Sequence, residues 1–181
     1  MITIQRINSS HEHYPFMEKL METAFPLQER RNADQQRENA DNNHRFHNNI
    51  LLENGTPIGL LTYWDFESFL YIEHFAISSD IRNKGYGQMA LNILKDMWNG
   101  MIVLEVEEPT DELTRRRIGF YERQGFVLQP HSYLQPPYRD GDEWFPMKLM
   151  TLGTPHIPLE THEKIKQTIY QEVYGKPLEL F

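Results

Sequence analysis

The chain has 181 residues, 39% of them hydrophobic, and a formal net charge of −8 at pH 7. This length favours one domain with a sizeable core, and the acidic balance disfavours nucleic acid as a partner because phosphate binding needs a basic surface. Cysteine is absent, which excludes disulfides, thiolate metal sites and a cysteine nucleophile. The N-terminal stretch MITIQRINSSHEHYP lacks the basic and apolar regions of a signal peptide, so we expect a cytoplasmic protein without a membrane anchor.

The first half of the chain predicts one strand, one helix, a polar segment and a run of three strands. Ile2–Ile7 alternates apolar and polar residues, whereas His11–Phe25 carries apolar residues at helical spacing. Gln28–Arg45 is polar throughout, which predicts a solvent-facing helix or a mobile loop. Tight turns, one of them Asn54-Gly55, then predict an antiparallel meander. Its strands are expected at Phe46–Asn54, Gly55–Phe66 and Ser68–Ile77.

The second half predicts strands that alternate with helices. The connection from the Tyr71–Ile77 strand to the Met101–Val106 strand is helical, which makes these two strands parallel. A second helix can be capped by Thr110 and ends at Gly125, and two last strands follow it. A terminal helix is predicted over Thr161–Tyr174, with its stop at Gly175 and Pro177 beyond, and with Ile165, Ile169 and Val173 on one stripe.

Two glycines at the start of the helix after Ile77 point to a phosphate-bearing ligand. Backbone N–H groups are unpaired there, glycines leave them accessible, and Arg82 and Lys84 add positive charge. Gly85–Ala90 also fits the dinucleotide fingerprint G-x-G-x-x-A. However, the seven residues Ser78–Lys84 separate it from its strand, whereas a Rossmann unit has almost none. The better description is Arg-x-x-Gly-x-Gly, a diphosphate-binding turn; an ordinary glycine-rich turn is the alternative.

The stretch HFAISSDIRNKGYGQMALNIL resembles the acetyl-coenzyme A motif of the GCN5-related N-acetyltransferases (GNAT), and IGFYERQGF resembles the closing helix of that family. The resemblance implies a mixed α/β fold with flanking helices and a sheet of six to seven strands. This sheet would contain an antiparallel N-terminal meander and a central parallel pair splayed around the cofactor. An acyltransferase domain is expected over residues 1–150, with residues 151–181 as a helical extension of the same domain.

The resemblance also implies acetyl-CoA as cosubstrate. Backbone groups near the end of the third meander strand are expected to contact the pantetheine and to stabilise the oxyanion, and the turn after that strand is expected to hold the diphosphate. On the closing helix, a threonine replaces the asparagine that the family often has, and its hydroxyl would substitute in part. The predicted cofactor-binding residues are Phe75, Ala76, Ile77, Arg82, Asn83, Lys84, Gly85, Tyr86, Gly87, Gln88 and Thr114.

Acetyl transfer to an amine needs a base for the amine and an acid for the departing thiolate. Tyr121 matches the family tyrosine whose hydroxyl meets the coenzyme sulfur, so it is the candidate acid; aromatic packing beside Phe120 is the alternative. Glu73 is the candidate base, because strand alternation places it among apolar residues, where burial would raise its pKa. A solvent-exposed glutamate is the alternative, and Glu105 and Glu107 are fallback bases.

The predicted function is transfer of an acetyl group from acetyl-CoA to a primary amine of a small molecule or peptide. The acceptor site is expected to involve the first helix, Gln28–Arg45 and Pro130–Asp142. The alternative is a catalytically silent acetyl-CoA-binding sensor or interaction module. The close histidine pairs, at positions 11 and 13 and at 44 and 47, have no carboxylate at a ligand spacing, so no metal is expected. A homodimer stays open.

Overall fold

A computed structural model describes residues 1–176, which form five α-helices and eight β-strands. The predicted mixed α/β class is confirmed, although the prediction of six to seven strands was at least one too few. The described residues cluster into two compact units, the second of which begins at Met101. The last five residues of the predicted extension, Pro177 among them, lie outside the described residues.

The first unit contains an antiparallel sheet of four strands in the order β1-β2-β3-β4, which confirms the predicted meander. Its turn between β2 and β3 has Asn54 and Gly55 at φ of 50° and 81°, the left-handed values that a two-residue hairpin loop requires. The elements of this unit are β1 (Ile2–Arg6), α1 (Tyr14–Ala24), α2 (Ala33–Asn42), β2 (Phe46–Glu53), β3 (Thr56–Asp65), β4 (Phe69–Ile77) and α3 (Tyr86–Met97).

Helices α1 and α2 are held to the sheet in different ways. The apolar stripe of α1 is buried in a core cluster with Ile50 and Leu60 of the sheet. In α2, by contrast, only Ala40 is buried, which agrees with the polar composition of this segment. The side chain of Asn32 caps α2 by accepting a hydrogen bond from the backbone N–H of Gln35 at 2.8 Å. Since α2 has little apolar surface to bury, its attachment depends on polar contacts.

Strand β4 contains an irregularity that the sequence did not reveal. On β3 the neighbours Thr62 and Tyr63 pair with His74 and Ile72 of β4, so Glu73 is an extra residue without an opposite partner. Such a bulge interrupts the alternation of the side chains and changes where the extra side chain points. The predicted regular alternation through this strand is therefore wrong at Glu73.

The second unit is built around a long strand, β8, which pairs antiparallel with β5, β6 and β7. The sequence predicted two strands after the closing helix, and the structure has three, because Pro130 lies in a break between two short strands. The elements of this unit are β5 (Met101–Glu107), α4 (Glu112–Arg123), β6 (Val127–Leu128), β7 (Tyr133–Gln135), β8 (Phe145–Leu152) and α5 (Leu159–Glu172).

The two helices of the second unit have well-defined ends. Asp111, not Thr110, is the N-cap of α4, where its side chain accepts a hydrogen bond from the backbone N–H of Thr114 at 2.8 Å. Gly125 follows this helix at φ 96°, as the predicted stop requires. In α5 the predicted stripe is confirmed, since all three of its residues are buried.

Candidate active site

The turn before α3 has the backbone geometry that the glycine motif predicts. Gly85 is the N-cap of α3 in the left-handed conformation, at φ 77°, and no side chain of the described residues caps this helix. The first backbone N–H groups of α3 consequently remain available to a ligand. A Cβ atom at Gly85 would have Met89 Cε, 4.0 Å away, as its nearest neighbour, so the surface beside the glycine is open. Arg82 and Lys84 in the same turn are exposed.

Tyr86 anchors this turn to the sheet. Its ring is buried at the start of α3, and its hydroxyl donates a hydrogen bond to Glu53 Oε2 on β2 at 2.5 Å. The remaining predicted residues of the turn, Asn83, Gly87 and Gln88, are exposed or partly exposed. The side chain of Tyr86 therefore has a packing role. Only its backbone, at the first position of α3, is left to meet the predicted cofactor.

The predicted pantetheine contacts lie at the end of β4. Phe75, Ala76 and Ile77 are each partly buried and pair with β3, where Ile77 lies opposite Gly59. Ile77 lies eight residues before Gly85 in the chain, so the first unit places the two predicted parts of the cofactor site on neighbouring segments of sequence. Their contact with pantetheine stays a prediction.

Glu73, the predicted base, is buried and fully engaged. Its side chain is 0% exposed, forms an ion pair with Arg31, and accepts a hydrogen bond from Trp64 Nε1 at 2.9 Å. Burial raises the pKa of this carboxyl, but the charges of Arg31 and His74 and the hydrogen bonds from Arg31 and Trp64 together outweigh it, so the pKa is lowered. The alternative of an exposed glutamate is wrong, and the expected rise in pKa is also wrong, because the sequence did not reveal Arg31 as a partner.

The ion pair connects β4 to the segment that precedes α2. Arg31 is 6% exposed, and its guanidinium carbon lies 5.6 Å from the ring centre of Phe46, close enough for a cation–π contact. Next to Glu73, the ring nitrogen Nε2 of His74 donates to the backbone carbonyl of Glu29 at 2.7 Å. Two adjacent side chains of the bulged strand thus hold the chain on the N-terminal side of α2.

Tyr121, the predicted acid, lies on α4 in the second unit. Phe120 and Phe126 pack edge-on against its ring, with centroid distances of 5.2 and 5.7 Å. Burial raises the pKa of Tyr121 to about 12, while the charge of Arg117 acts in the opposite direction. Its hydroxyl has no hydrogen-bond partner within residues 1–176, so the side chain is packed by its ring and its polar end remains available.

Thr114 is used by its own helix. Its hydroxyl donates to the backbone carbonyl of Asp111 at 3.1 Å and accepts from the Asp111 N–H at 3.2 Å, which completes a capping box. The residue is only 3% exposed. Its contact with pantetheine stays a prediction, and the capping box gives a structural reason for the threonine.

The sequence missed a cluster of polar side chains around Glu105, one of the fallback bases. The Glu105 carboxylate accepts hydrogen bonds from the hydroxyl of Tyr133, from Gln135 Nε2 at 2.8 Å and from the hydroxyl of Tyr174 at 2.9 Å. Glu107, the other fallback base, pairs with Arg117 at 3.2 Å. The partners of Glu105 lie on β7 and after α5, far from it in sequence, so sequence spacing did not indicate the cluster.

The chain also matches known proteins. The model of the acetyltransferase (GNAT) family matches residues 12–126. The chain belongs to the GNAT family. One similar solved structure is that of a Bacteroides thetaiotaomicron protein assigned as an acetyltransferase of the GNAT family. Its sequence is 44% identical to this chain, and the TM-score is 0.91. That match covers 96% of this chain and 98% of the other, and it confirms the predicted GNAT resemblance and fold class.

Two further similarities are more limited. YjbC of Bacillus subtilis, described as an acetyltransferase, is 37% identical over 70 residues, which are 37% of this chain. The match spans 35% of YjbC, so this chain aligns with about a third of that relative. A GNAT acetyltransferase from Elizabethkingia anophelis, solved with acetyl-CoA bound, has 15% identity and a TM-score of 0.55. It covers 83% of this chain and 97% of its own, and at this identity it supports the fold alone.

Two features are absent from residues 1–176. No helix in that range combines the length and the apolar composition that crossing a bilayer requires. No group of three or more His, Asp or Glu side chains in the same range could hold a metal ion.

Proposed function

We propose that this GNAT chain transfers an acetyl group from acetyl-CoA to a primary amine, which attacks directly. The observation that carries the proposal is the uncapped start of α3 behind Gly85. A helix start of this kind offers unpaired N–H groups and the positive end of the helix dipole, both of which favour an anion. The charges of Arg82 and Lys84 act in the same direction.

The residues of the turn fit a diphosphate on chemical grounds. Glycine at position 85 leaves the helix start open, since nothing lies within 4 Å of a notional Cβ except Met89 Cε at that limit. The backbone of residues 82–88 would hold the diphosphate, and the exposed Arg82 and Lys84 would screen its charge. Acetyl-CoA, when bound, supplies an acetyl thioester.

Tyr121 has the properties of a proton donor. Because burial raises its pKa to about 12, the phenol stays protonated over the whole physiological range. Its hydroxyl therefore carries a proton that it can donate to a departing thiolate, although burial makes it a weaker acid than an ordinary tyrosine. The edge-on packing of Phe120 and Phe126 fixes the direction of the ring, which reduces the entropy lost when the hydroxyl donates.

The assignment of a base is less direct. Glu73 was the predicted base, and its lowered pKa and its pairing with Arg31 make it a poor proton acceptor. We infer that Glu73 is a positioning residue, which holds Arg31 and through it the segment before α2. Glu105 already accepts hydrogen bonds from Tyr133, Gln135 and Tyr174, so it is also poorly placed to take a proton.

Substitution of Gly85 by alanine is expected to weaken coenzyme A binding about tenfold, or ~1.4 kcal/mol. The added methyl would stand on the open surface of the turn and would strain a residue at φ 77° by about 1–2 kcal/mol. Isothermal titration calorimetry with coenzyme A measures the loss.

The matched control is Gly55→Ala. Gly55 has nearly the same φ, 81°, and equally open surroundings, but it lies in the β2–β3 hairpin. It should lose similar stability in thermal unfolding and keep its affinity for coenzyme A. Equal affinities in all three proteins would remove the diphosphate from this turn.

Turnover itself is tested by following thiol release from acetyl-CoA with a panel of polyamines, amino acids, aminoglycosides and peptides. Release above background with at least one amine supports the transferase. The acetyl-CoA-binding module is the second candidate, because Glu73 and Glu105 are both occupied by hydrogen bonds. A rise in melting temperature with acetyl-CoA, but no release with any amine, would favour that module.

A further inference from the structure

A cleft lies between α1 and α2 above β2, entirely within the first unit. Its cavity volume is about 30 Å³, within about 400 Å³ of empty space that is partly open to solvent. Its walls include Met17 and Met21 of α1, Gln36 of α2 and Asn48 of β2. We call it the α1–α2 cleft.

Two polar atoms of this cleft are buried without a hydrogen-bond partner in residues 1–176. Asn48 is 1% exposed, and its Nδ2 donates to the backbone carbonyl of Ile7 at 3.2 Å, which leaves Oδ1 unpaired. Gln36 Oε1 accepts from Arg31 Nη1 at 2.7 Å, which leaves its buried Nε2 unpaired. Because the paired atom fixes the orientation of each amide, the cleft offers one acceptor and one donor.

Leaving such atoms unpaired is costly. A buried donor or acceptor without a partner costs about 1–3 kcal/mol, so two in one cleft call for an occupant. Water is the simplest occupant, since one water needs roughly 10–15 Å³ of cavity volume. The cavity of about 30 Å³ also opens outward, so the polar end of a larger ligand can replace that water while the rest of the ligand lies in the open part of the cleft.

The charges around the cleft favour an uncharged group. The lining carries two carboxylates, those of Glu18 and Glu22, and two guanidinium groups, those of Arg30 and Arg31, so its charges balance. Glu18 is paired with Arg37 at 2.5 Å, and Arg31 is paired with Glu73. The buried side-chain atoms of the cleft that lack a partner in residues 1–176 come from neutral amides. A ligand that matches both must supply an acceptor for Gln36 and a donor for Asn48, and an amide group supplies both in one plane.

We propose that the α1–α2 cleft binds the uncharged amide group of a small ligand. Its carbonyl accepts from Gln36 Nε2, its N–H donates to Asn48 Oδ1, and its adjoining carbon chain packs on Met17 and Met21. The amide belongs either to the amine acceptor or to a separate effector. The first assignment rests on the proposed function, and the second is independent of it.

Binding is tested by NMR of the protein with ¹³C-labelled methionine methyl groups. Propionamide should shift the methyl signals of Met17 and Met21 in a saturable way, and leave that of Met97, which is 60% exposed on α3, unchanged. Propylamine and butanone should bind about tenfold more weakly, because propylamine lacks the carbonyl acceptor and butanone lacks the N–H donor. Equal shifts with either compound, or no shift with propionamide, would overturn the proposal and leave the cleft to water.

Gln36→Glu tests the site itself. This change keeps an acceptor for Arg31 and replaces the donor with a second acceptor, so propionamide should bind about tenfold more weakly. Gln35→Glu is the control, since it adds the same charge on the exposed face of α2. Unaltered binding by Gln36→Glu would count against the site, and the ligand panel on the unsubstituted protein decides the question if this variant does not fold.

Kinetics separate the two sources of the amide. If the amide is part of the acceptor, propionamide should raise the KM for the amine and leave kcat unchanged. If it belongs to an effector, kcat should change. Since the NMR shifts need neither acetyl-CoA nor turnover, a failure of the acetyltransferase assay would leave the binding result standing.

Discussion

Replacing Tyr121 by phenylalanine is expected to lower kcat by about 10²–10⁴-fold, the usual contribution of a positioned general acid. The substitution removes only the hydroxyl, and the ring keeps its edge-on contacts with Phe120 and Phe126. Without that hydroxyl, no proton is held ready for the thiolate. The measurement is steady-state thiol release with the best amine found in the panel.

Two further measurements show whether the loss belongs to the chemical step. Coenzyme A affinity and melting temperature should stay within error of the unsubstituted protein, because no packing is lost. Since burial raises the pKa of Tyr121 to about 12, the phenol should stay protonated and cause no loss of rate between pH 7 and about pH 10. An unchanged kcat in Tyr121→Phe would remove the assigned role and leave the tyrosine as a packing residue.

Removing Arg31 should have the largest effect on stability. Arg31→Met is expected to reduce the free energy of unfolding by about 3–5 kcal/mol, because it leaves the buried Glu73 carboxylate without its counter-ion. The double variant Arg31→Met with Glu73→Gln should recover much of this loss, since the buried charge is gone and Trp64 can still donate to the new amide oxygen. Chemical denaturation of the four proteins of the cycle measures the coupling.

An exposed pair supplies the control. Arg116 and Glu112 are paired at 2.5 Å on α4 with side chains 75% and 73% exposed, so Arg116→Met should cost no more than about 1 kcal/mol. Equal losses from Arg31→Met and Arg116→Met would show that the buried pair does not hold α2 in place.

The same pair makes stability depend on acid. The folded pKa of Glu73 is depressed below its unfolded value, so its contribution is fully present above the unfolded pKa and is lost as the pH falls through the folded one. Unfolding free energies measured between pH 6 and pH 3 should therefore fall more steeply for the unsubstituted protein than for the double variant. Parallel curves would assign the acid sensitivity to other carboxyls.

Local patterns predicted most elements and the glycine turn. The hairpin at Asn54-Gly55 and the turn at Gly85 were predictable because backbone conformation at φ above zero depends on the residue itself. The strands and α1 were predictable from their apolar spacing. In contrast, the polar composition of α2 left helix and loop equally open, because its docking depends on Arg31 outside the helix.

Predictions failed where a partner was remote in sequence. Glu73 and Arg31 are 42 residues apart, and the bulge that re-aims Glu73 is a property of the pairing between β3 and β4. No periodicity within β4 reveals either. The same holds for Glu105, whose hydroxyl donor Tyr174 lies 69 residues away. Residue type marked these carboxylates as candidate bases, whereas only the tertiary structure revealed their partners.

The Glu105 cluster makes the end of the described chain part of the fold's interior. Tyr174 lies two residues before the last described position, yet its hydroxyl donates to a carboxylate on β5, and its ring packs 4.9 Å from that of Tyr138. A version shortened at Leu152, the end of β8, would lack both this donor and α5. It would expose the apolar surface against which the buried residues of α5 pack. Truncation there should therefore yield a protein prone to aggregate.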